Sequence, residues 1–236
     1  MTSATDMSSS EPAFTGQVVL ITGAAGALGR AATAFFERAG ARLALLDVVP
    51  IEGPHVARVC DLTDSADCAA AVADVVAALG TVDVLVNIAG GFAMGEAVHE
   101  TSAATWDFLM GLNAHSVLNM ARATVPVMLS AGRGKIVNIG AGAGLNAGAR
   151  MGAYSASKSV VIRLTEAMAA ELKSQGINVN CVLPSIIDTA RNRSDMPNAD
   201  YRTWVHPDAL ARVIGFLASD AATPIHGAAL PVSGLV

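Results

Sequence analysis

Six residues, Gln17-Val18-Val19-Leu20-Ile21-Thr22, run directly into Gly23-Ala24-Ala25-Gly26-Ala27-Leu28-Gly29, and this junction constrains the chain more than any other stretch. The first half is apolar on both faces, as a strand buried inside a parallel sheet should be. The second half is a glycine-rich turn that opens a helix running to about Ala39. Such a turn lets backbone N–H groups approach a pyrophosphate at the helix N-terminus, where the dipole favours negative charge. Gly23, Gly26, Leu28 and Gly29 are the candidate contacts. The bland alternative is a tight strand–helix turn without a ligand.

Strand and helix signals then alternate along the chain. Arg42 to Leu46 reads as a second strand ending on Asp47. A carboxylate at that tip accepts both hydroxyls of an adenosine ribose and repels a 2′-phosphate. Val48-Val49-Pro50 follow with no arginine, which favours NAD(H) over NADP(H). Only thirteen residues separate Asp47 from Asp61, so an irregular connection should precede a third strand at about Val56 to Cys60. Asp61-Leu62-Thr63 opens the next helix, with Thr63 or Asp64 as its cap. Val82 to Val86 reads as a fourth strand entering Asn87-Ile88-Ala89-Gly90-Gly91. A long helix from about Thr101 to Leu129 carries Asn113.

The stretch from Gly134 to Lys158 holds the candidate chemistry. Lys135 to Ile139 is a buried strand, Gly140 to Gly144 a bend, and Ala153 to Ser174 a helix. Tyr154 and Lys158 lie four residues apart on that helix and share one face. A phenol with an ordinary pKa near 10 is a poor proton donor at neutral pH. A nearby ammonium should pull it toward the working range and make the pair a general acid/base. Ile177 to Leu183 is the next strand, followed by Pro184 to Thr189. The polar segment Arg191 to Trp204 reads as a mobile loop over a substrate. Pro207 to Ser219 is a last helix and Ala228 to Val232 a last strand.

Composition removes several classes of function. Net charge is −5, which leaves no electrostatic footprint for nucleic acid. No apolar run reaches the roughly 18 residues of a membrane span. Residues 1–13 lack a secretion signal and read as a disordered tail before one domain over 14–236. Cys60, Cys68 and Cys181 read as buried free thiols of a cytoplasmic protein, and the histidines show no metal-ligand spacing. Charged residues make up 15% and mean hydropathy is +0.48, so apolar surface should be hidden in an oligomer as well as in a core.

Taken together, Thr22-Gly23…Gly29, Asn87…Ala89-Gly90 and Tyr154…Lys158 resemble the short-chain dehydrogenase/reductase family from about Gln17 to Val232. The resemblance implies an α/β fold: a single-domain, doubly wound Rossmann fold with a seven-stranded parallel sheet flanked by helices. It implies NAD as cofactor, with NADH preferred over NADPH. Asp61 and Leu62 would hold the adenine, and Asn87 would brace the central strands. Ala89 and Gly90 would admit the cofactor ribose, while Pro184, Ile187 and Thr189 would border the nicotinamide. Asn113 would hold a water linking Lys158 to solvent. Pairing of the Thr101–Leu129 and Ala153–Ser174 helices between subunits implies a homotetramer, with a homodimer next.

Three departures stand out. Ala27 and Ser185 replace family glycines, and Ala141 occupies the place of the catalytic serine, thirteen residues before Tyr154. The dihydropteridine reductase branch also has alanine there, and Ala89-Gly90-Gly91-Phe92 resembles its sequence. Phe92, Met196 and Trp204 would then wall a flat ring near Ala141. The competing reading of Ala141 is a weak or inactive NAD-binding scaffold or sensor.

Overall fold

Val18 and Leu20 face one side of the sheet and Val19 and Ile21 the other, and all four are fully buried. They lie in β1 (Val18–Thr22), which with β2 (Arg42–Asp47), β3 (Val56–Val59), β4 (Val84–Asn87), β5 (Gly134–Ile139), β6 (Ile177–Pro184) and β7 (Ala229–Val232) makes one sheet. Its order is β3-β2-β1-β4-β5-β6-β7, and every pairing is parallel. The computed structural model describes residues 14–236; the tail expected over 1–13 lies outside the described residues.

Both faces of the sheet are covered. Phe35 and Phe36 of α1 (Ala27–Arg38) pack with Leu210 and Ile214 of α7 (Pro207–Ala218) over Val19 and Ile21. On the opposite face lie Val72 and Val75 of α2 (Ser65–Leu79), Met120 and Met128 of α4 (Ser116–Ala131) and Leu172 of α5 (Gly152–Leu172). Two apolar layers on one sheet account for the sparse charge of the chain. At the carboxyl end of β1, Thr22 pairs with Leu46 of β2 and with Asn87 of β4. The strand order turns back here, which opens a crevice where α/β sheets bind ligands.

Several boundaries differ from expectation. The rod expected from Thr101 to Leu129 begins as a 3-10 turn (Val98–Glu100) and continues as α3 (Ala103–Leu109). It then passes through π-helical residues Met110–His115 into α4. Ser102 stops the helix from starting earlier, because its hydroxyl caps the N–H of Thr105. The π stretch is where Asn113 turns inward to bond Gly91. The α2 cap is Asp64, whose carboxylate accepts from Ala66 and Asp67 N–H. Asp61 therefore lies in the preceding turn.

The segment expected as a mobile loop, Arg191–Trp204, contains regular structure: α6 (Ala190–Asp195), a turn, then a 3-10 turn (Tyr201–Thr203). Arg193 clamps Asp188 through two hydrogen bonds of 2.6 and 2.7 Å and stacks over the Tyr201 ring. The hydrogen bonds from Arg193 hold the Asp188 carboxyl below its ordinary range. A polar sequence stiffens when its charges find fork-shaped partners.

Candidate active site

The glycine loop closes onto the end of β4. Gly23 has φ +64°, and a Cβ there would stand 2.8 Å from the Ala89 backbone. A Cβ on Gly29 would stand 2.1 Å from the Gly23 carbonyl oxygen. Thr22 fastens the same junction, its hydroxyl accepting from Ile88 and Ala89 N–H at 3.1 and 3.3 Å. Gly26 stands at the N-cap of α1 with no side chain to cap the first turn, and that turn contains no acid. Its N-terminal amides thus face an open approach, since a Cβ on Gly26 would meet only the Gly23 carbonyl oxygen at 3.3 Å. This arrangement fits a dinucleotide pyrophosphate.

Asp47 borders the loop. One carboxylate oxygen accepts from Ala25 N–H at 2.9 Å and the other from Val49 N–H at 3.3 Å. These bonds orient the carboxylate and leave lone pairs for ribose hydroxyls. Asp61 accepts from both the N–H and the hydroxyl of Thr63. Leu62 is buried in the core. The Asn119 amide fixes this turn by donating to the Leu62 and Thr63 carbonyls.

Asn87 points into the protein and not at the crevice. Its amide donates to Asn138 on β5 at 2.8 Å, and Asn138 donates to Thr165 on α5 at 2.9 Å. This buried chain ties the sheet to the helix that carries Tyr154. Gly90 lies where a Cβ would stand 2.9 Å from the Asn113 side-chain oxygen and 3.3 Å from Lys158 Nζ. Only glycine lets these three segments meet.

Tyr154 and Lys158 both project from α5 at the carboxyl end of the sheet. Lys158 is buried, and its ammonium donates to the Ile139 carbonyl at 2.8 Å. Burial pulls it down to about 8. Burial pushes the Tyr154 phenol up to about 12. The expectation that Lys158 lowers the phenol is therefore not met in the protein by itself. Both groups are desolvated, and the ammonium is directed to a backbone carbonyl.

Asn113 accepts from Gly91 N–H, donates to the Gly91 carbonyl, and donates to the Ser157 hydroxyl at 2.9 Å. Ser157 in turn donates to the Tyr154 carbonyl at 2.7 Å. Sequence reasoning missed Ser157, although its spacing of three from Tyr154 places it one turn along the same helix. Asn113 thus reaches the helix of Tyr154 through Ser157.

The remaining candidates separate. Phe92 is half exposed and meets the Tyr154 ring edge to face. Ala141 is buried where β5 ends and brings no donor to the site. Met196 is partly exposed at the end of α6. Trp204, expected as a wall for substrate, is 7% exposed and packs against Tyr201, because Ile187 pairs with Val205 and draws it inward. Pro184 ends β6, and Thr189 caps α6 by accepting from Asn192 N–H.

Comparison with known proteins agrees with this architecture. The short chain dehydrogenase family model matches residues 17–200. D-threitol dehydrogenase of Mycolicibacterium smegmatis is 34% identical over 93% of this chain and 92% of its own length. 2-(S)-hydroxypropyl-CoM dehydrogenase 3 of Xanthobacter autotrophicus is 32% identical over 92% of this chain and 95% of its own. The crystal structure of carveol dehydrogenase from Mycobacterium avium in complex with NAD superposes with a TM-score of 0.86 at 28% identity. That match covers 94% of this chain and 98% of the other.

Proposed function

This chain belongs to the short-chain dehydrogenase family, an oxidoreductase family, and on that premise we propose that it moves hydride between NAD(H) and a small hydroxyl or carbonyl compound. The observation that carries the reading is Tyr154, held against Phe92 on one side and one helical turn above Lys158 on the other.

The Gly23–Gly29 loop would hold the pyrophosphate, with Asp47 on the ribose and the Asp61–Leu62 turn beside the adenine. Ala89, Gly90, Pro184, Ile187 and Thr189 would border the nicotinamide half. Bound NAD supplies the hydride acceptor, and NADH the donor. Tyr154 holds or takes the proton at the substrate oxygen. Lys158, fixed on the Ile139 carbonyl, has its ammonium nitrogen beside Gly90, while Asn113 and Ser157 fix the first turn of the helix. NADH is preferred over NADPH because Asp47 repels a 2′-phosphate.

Ala141 supports a second reading. A conjugated ring such as a quinonoid dihydropterin takes its proton on nitrogen and needs no hydroxyl to polarise a carbonyl, as in the dihydropteridine reductase branch. The named relatives, whose names denote hydroxyl-bearing compounds, weigh toward the first reading. Steady-state assays over alcohols with NAD, and over ketones, quinones and quinonoid pterins with NADH, separate the two. Tyr154→Phe should abolish turnover and leave NADH affinity within a few-fold. NADH binding with no turnover on any class would leave the scaffold or sensor reading.

The same membership supports an expectation for assembly. We expect a cytoplasmic homotetramer, or next a homodimer, joined through α4 and α5. Among the described residues no helix is long and apolar enough to cross a membrane. A monomer in light scattering at micromolar concentration would defeat the assembly reading.

A further inference from the structure

A recess of about 90 Å³ is bordered by Ala93, which follows Phe92 in the chain, and by Ala153, which precedes Tyr154. Arg150, Glu96 and Thr105 supply its polar wall. Arg150 is the one non-glycine residue with positive φ (60°) among the described residues. A bulky side chain in this left-handed region is strained, and such strain gathers at functional positions. Two reciprocal bonds hold it there: Gly95 N–H donates to the Arg150 carbonyl at 2.9 Å, and the guanidinium donates to the Gly95 carbonyl at 2.8 Å. The guanidinium has no ion-pair partner among the described residues. Its remaining N–H groups are therefore available.

Glu96 is fixed as firmly on the same recess. One oxygen accepts from Ser102 N–H at 3.1 Å and the other from the Thr105 hydroxyl at 3.3 Å, leaving lone pairs on both. An anionic ligand here would face Glu96, and an ammonium would face Arg150. A neutral group that both donates and accepts satisfies the two together. The volume suits about three water-sized groups.

We propose that this recess is the subsite for the hydroxylated tail of a polyol, with Arg150 and Glu96 as specificity-determining residues. The proposal rests on the alcohol/carbonyl reading given above and narrows its substrate class to polyhydroxylated chains whose reacting carbon lies at Tyr154. Arg150 donates to, and Glu96 accepts from, the hydroxyls beyond that carbon.

Arg150→Gly tests it, because glycine suits the positive φ and should leave the thermal midpoint equal or higher. With NAD, threitol and xylitol should be oxidised with kcat/KM at least tenfold above 2-butanol. In Arg150→Gly, KM for both polyols should rise tenfold or more while 2-butanol stays within twofold. Glu96→Gln should act in the same direction. Equal losses on polyol and 2-butanol would reduce Arg150 to a loop clasp and overturn the proposal, as would an unchanged polyol KM. Saturation-transfer NMR with xylitol on the NAD-loaded protein reads the subsite without turnover. Transfer in the parent that is lost in Arg150→Gly supports the subsite even if the alcohol-oxidation reading fails. No transfer in the parent overturns it.

Discussion

The rings of Phe92 and Tyr154 meet with centroids 4.9 Å apart and planes at 82°, so the loop after β4 touches the candidate acid/base directly. Edge-to-face pairs contribute about 0.5–1.5 kcal/mol. If that contact aims the phenol, Phe92→Ala should lower kcat about 3- to 10-fold, and Phe92→Tyr should restore most of it. Phe92 is 55% exposed, so the thermal midpoint should move little. An unchanged kcat in Phe92→Ala would make the contact incidental to turnover.

Asp47 should set the choice of cofactor. Calorimetric titration of the parent should give an NADH affinity at least tenfold tighter than that for NADPH. Asp47→Asn keeps an acceptor for Ala25 N–H and removes the charge, so the gap should narrow mainly through tighter NADPH binding. NADPH binding tighter than NADH in the parent would remove Asp47 from the ribose.

Ala141 offers a gain-of-function experiment. Ala141→Ser places a hydroxyl where β5 ends, ahead of Tyr154 in the chain. If the rest of the site is intact, activity on simple ketones should rise by one to two orders of magnitude, about 1.5–3 kcal/mol of transition-state stabilisation. Activity on a quinonoid dihydropterin should stay level or fall. A flat ketone rate would count against an intact site, and equal gains on both would count against the pterin reading.

Lys158 makes stability depend on pH in a definite direction. Its native pKa of about 8 lies below the ordinary 10.5, so between these values the unfolded chain binds a proton that the native one does not. Stability therefore rises with pH across that window, by about 2 kcal/mol between pH 8 and 10 from this group alone. Tyr154 acts oppositely and later, its native pKa of about 12 lowering stability above pH 10. Urea unfolding of the parent and of Lys158→Met at pH 8 and 10 isolates the lysine. The same pH dependence in both proteins would refute the assignment.

How much of this was legible depends on how local each cause is. The first strand was readable because Val18 to Ile21 are apolar on both faces, and the irregular Val48–His55 connection because too few residues remained for a helix. The i,i+4 spacing placed Tyr154 and Lys158 together. It could not say where the ammonium points, which is decided by the Ile139 carbonyl at the end of another element. Burial then raised the phenol where the sequence pattern pointed to a lowered one. The short helix within Arg191–Trp204 was hidden for a similar reason, since Arg193 finds Asp188 and Tyr201 only after the backbone has turned. The twist at Arg150 left no mark in the sequence, because arginine is not a residue that signals positive φ.

The π-helical residues Met110–His115 carry a consequence for how this chain can be altered. A π turn holds about one residue more than an α turn, so α3 and α4 are out of phase by about 100° relative to one unbroken α-helix. Deleting a single residue there would let the hydrogen-bond ladder close into ordinary α-helix with little local damage. Yet the same deletion would swing Trp106 and Phe108 around the axis relative to Met120 and draw Asn113 away from Gly91. The rod therefore behaves as a gear with one tooth too many, and length changes within it alter the rim of the crevice, while the sheet beneath would not register them.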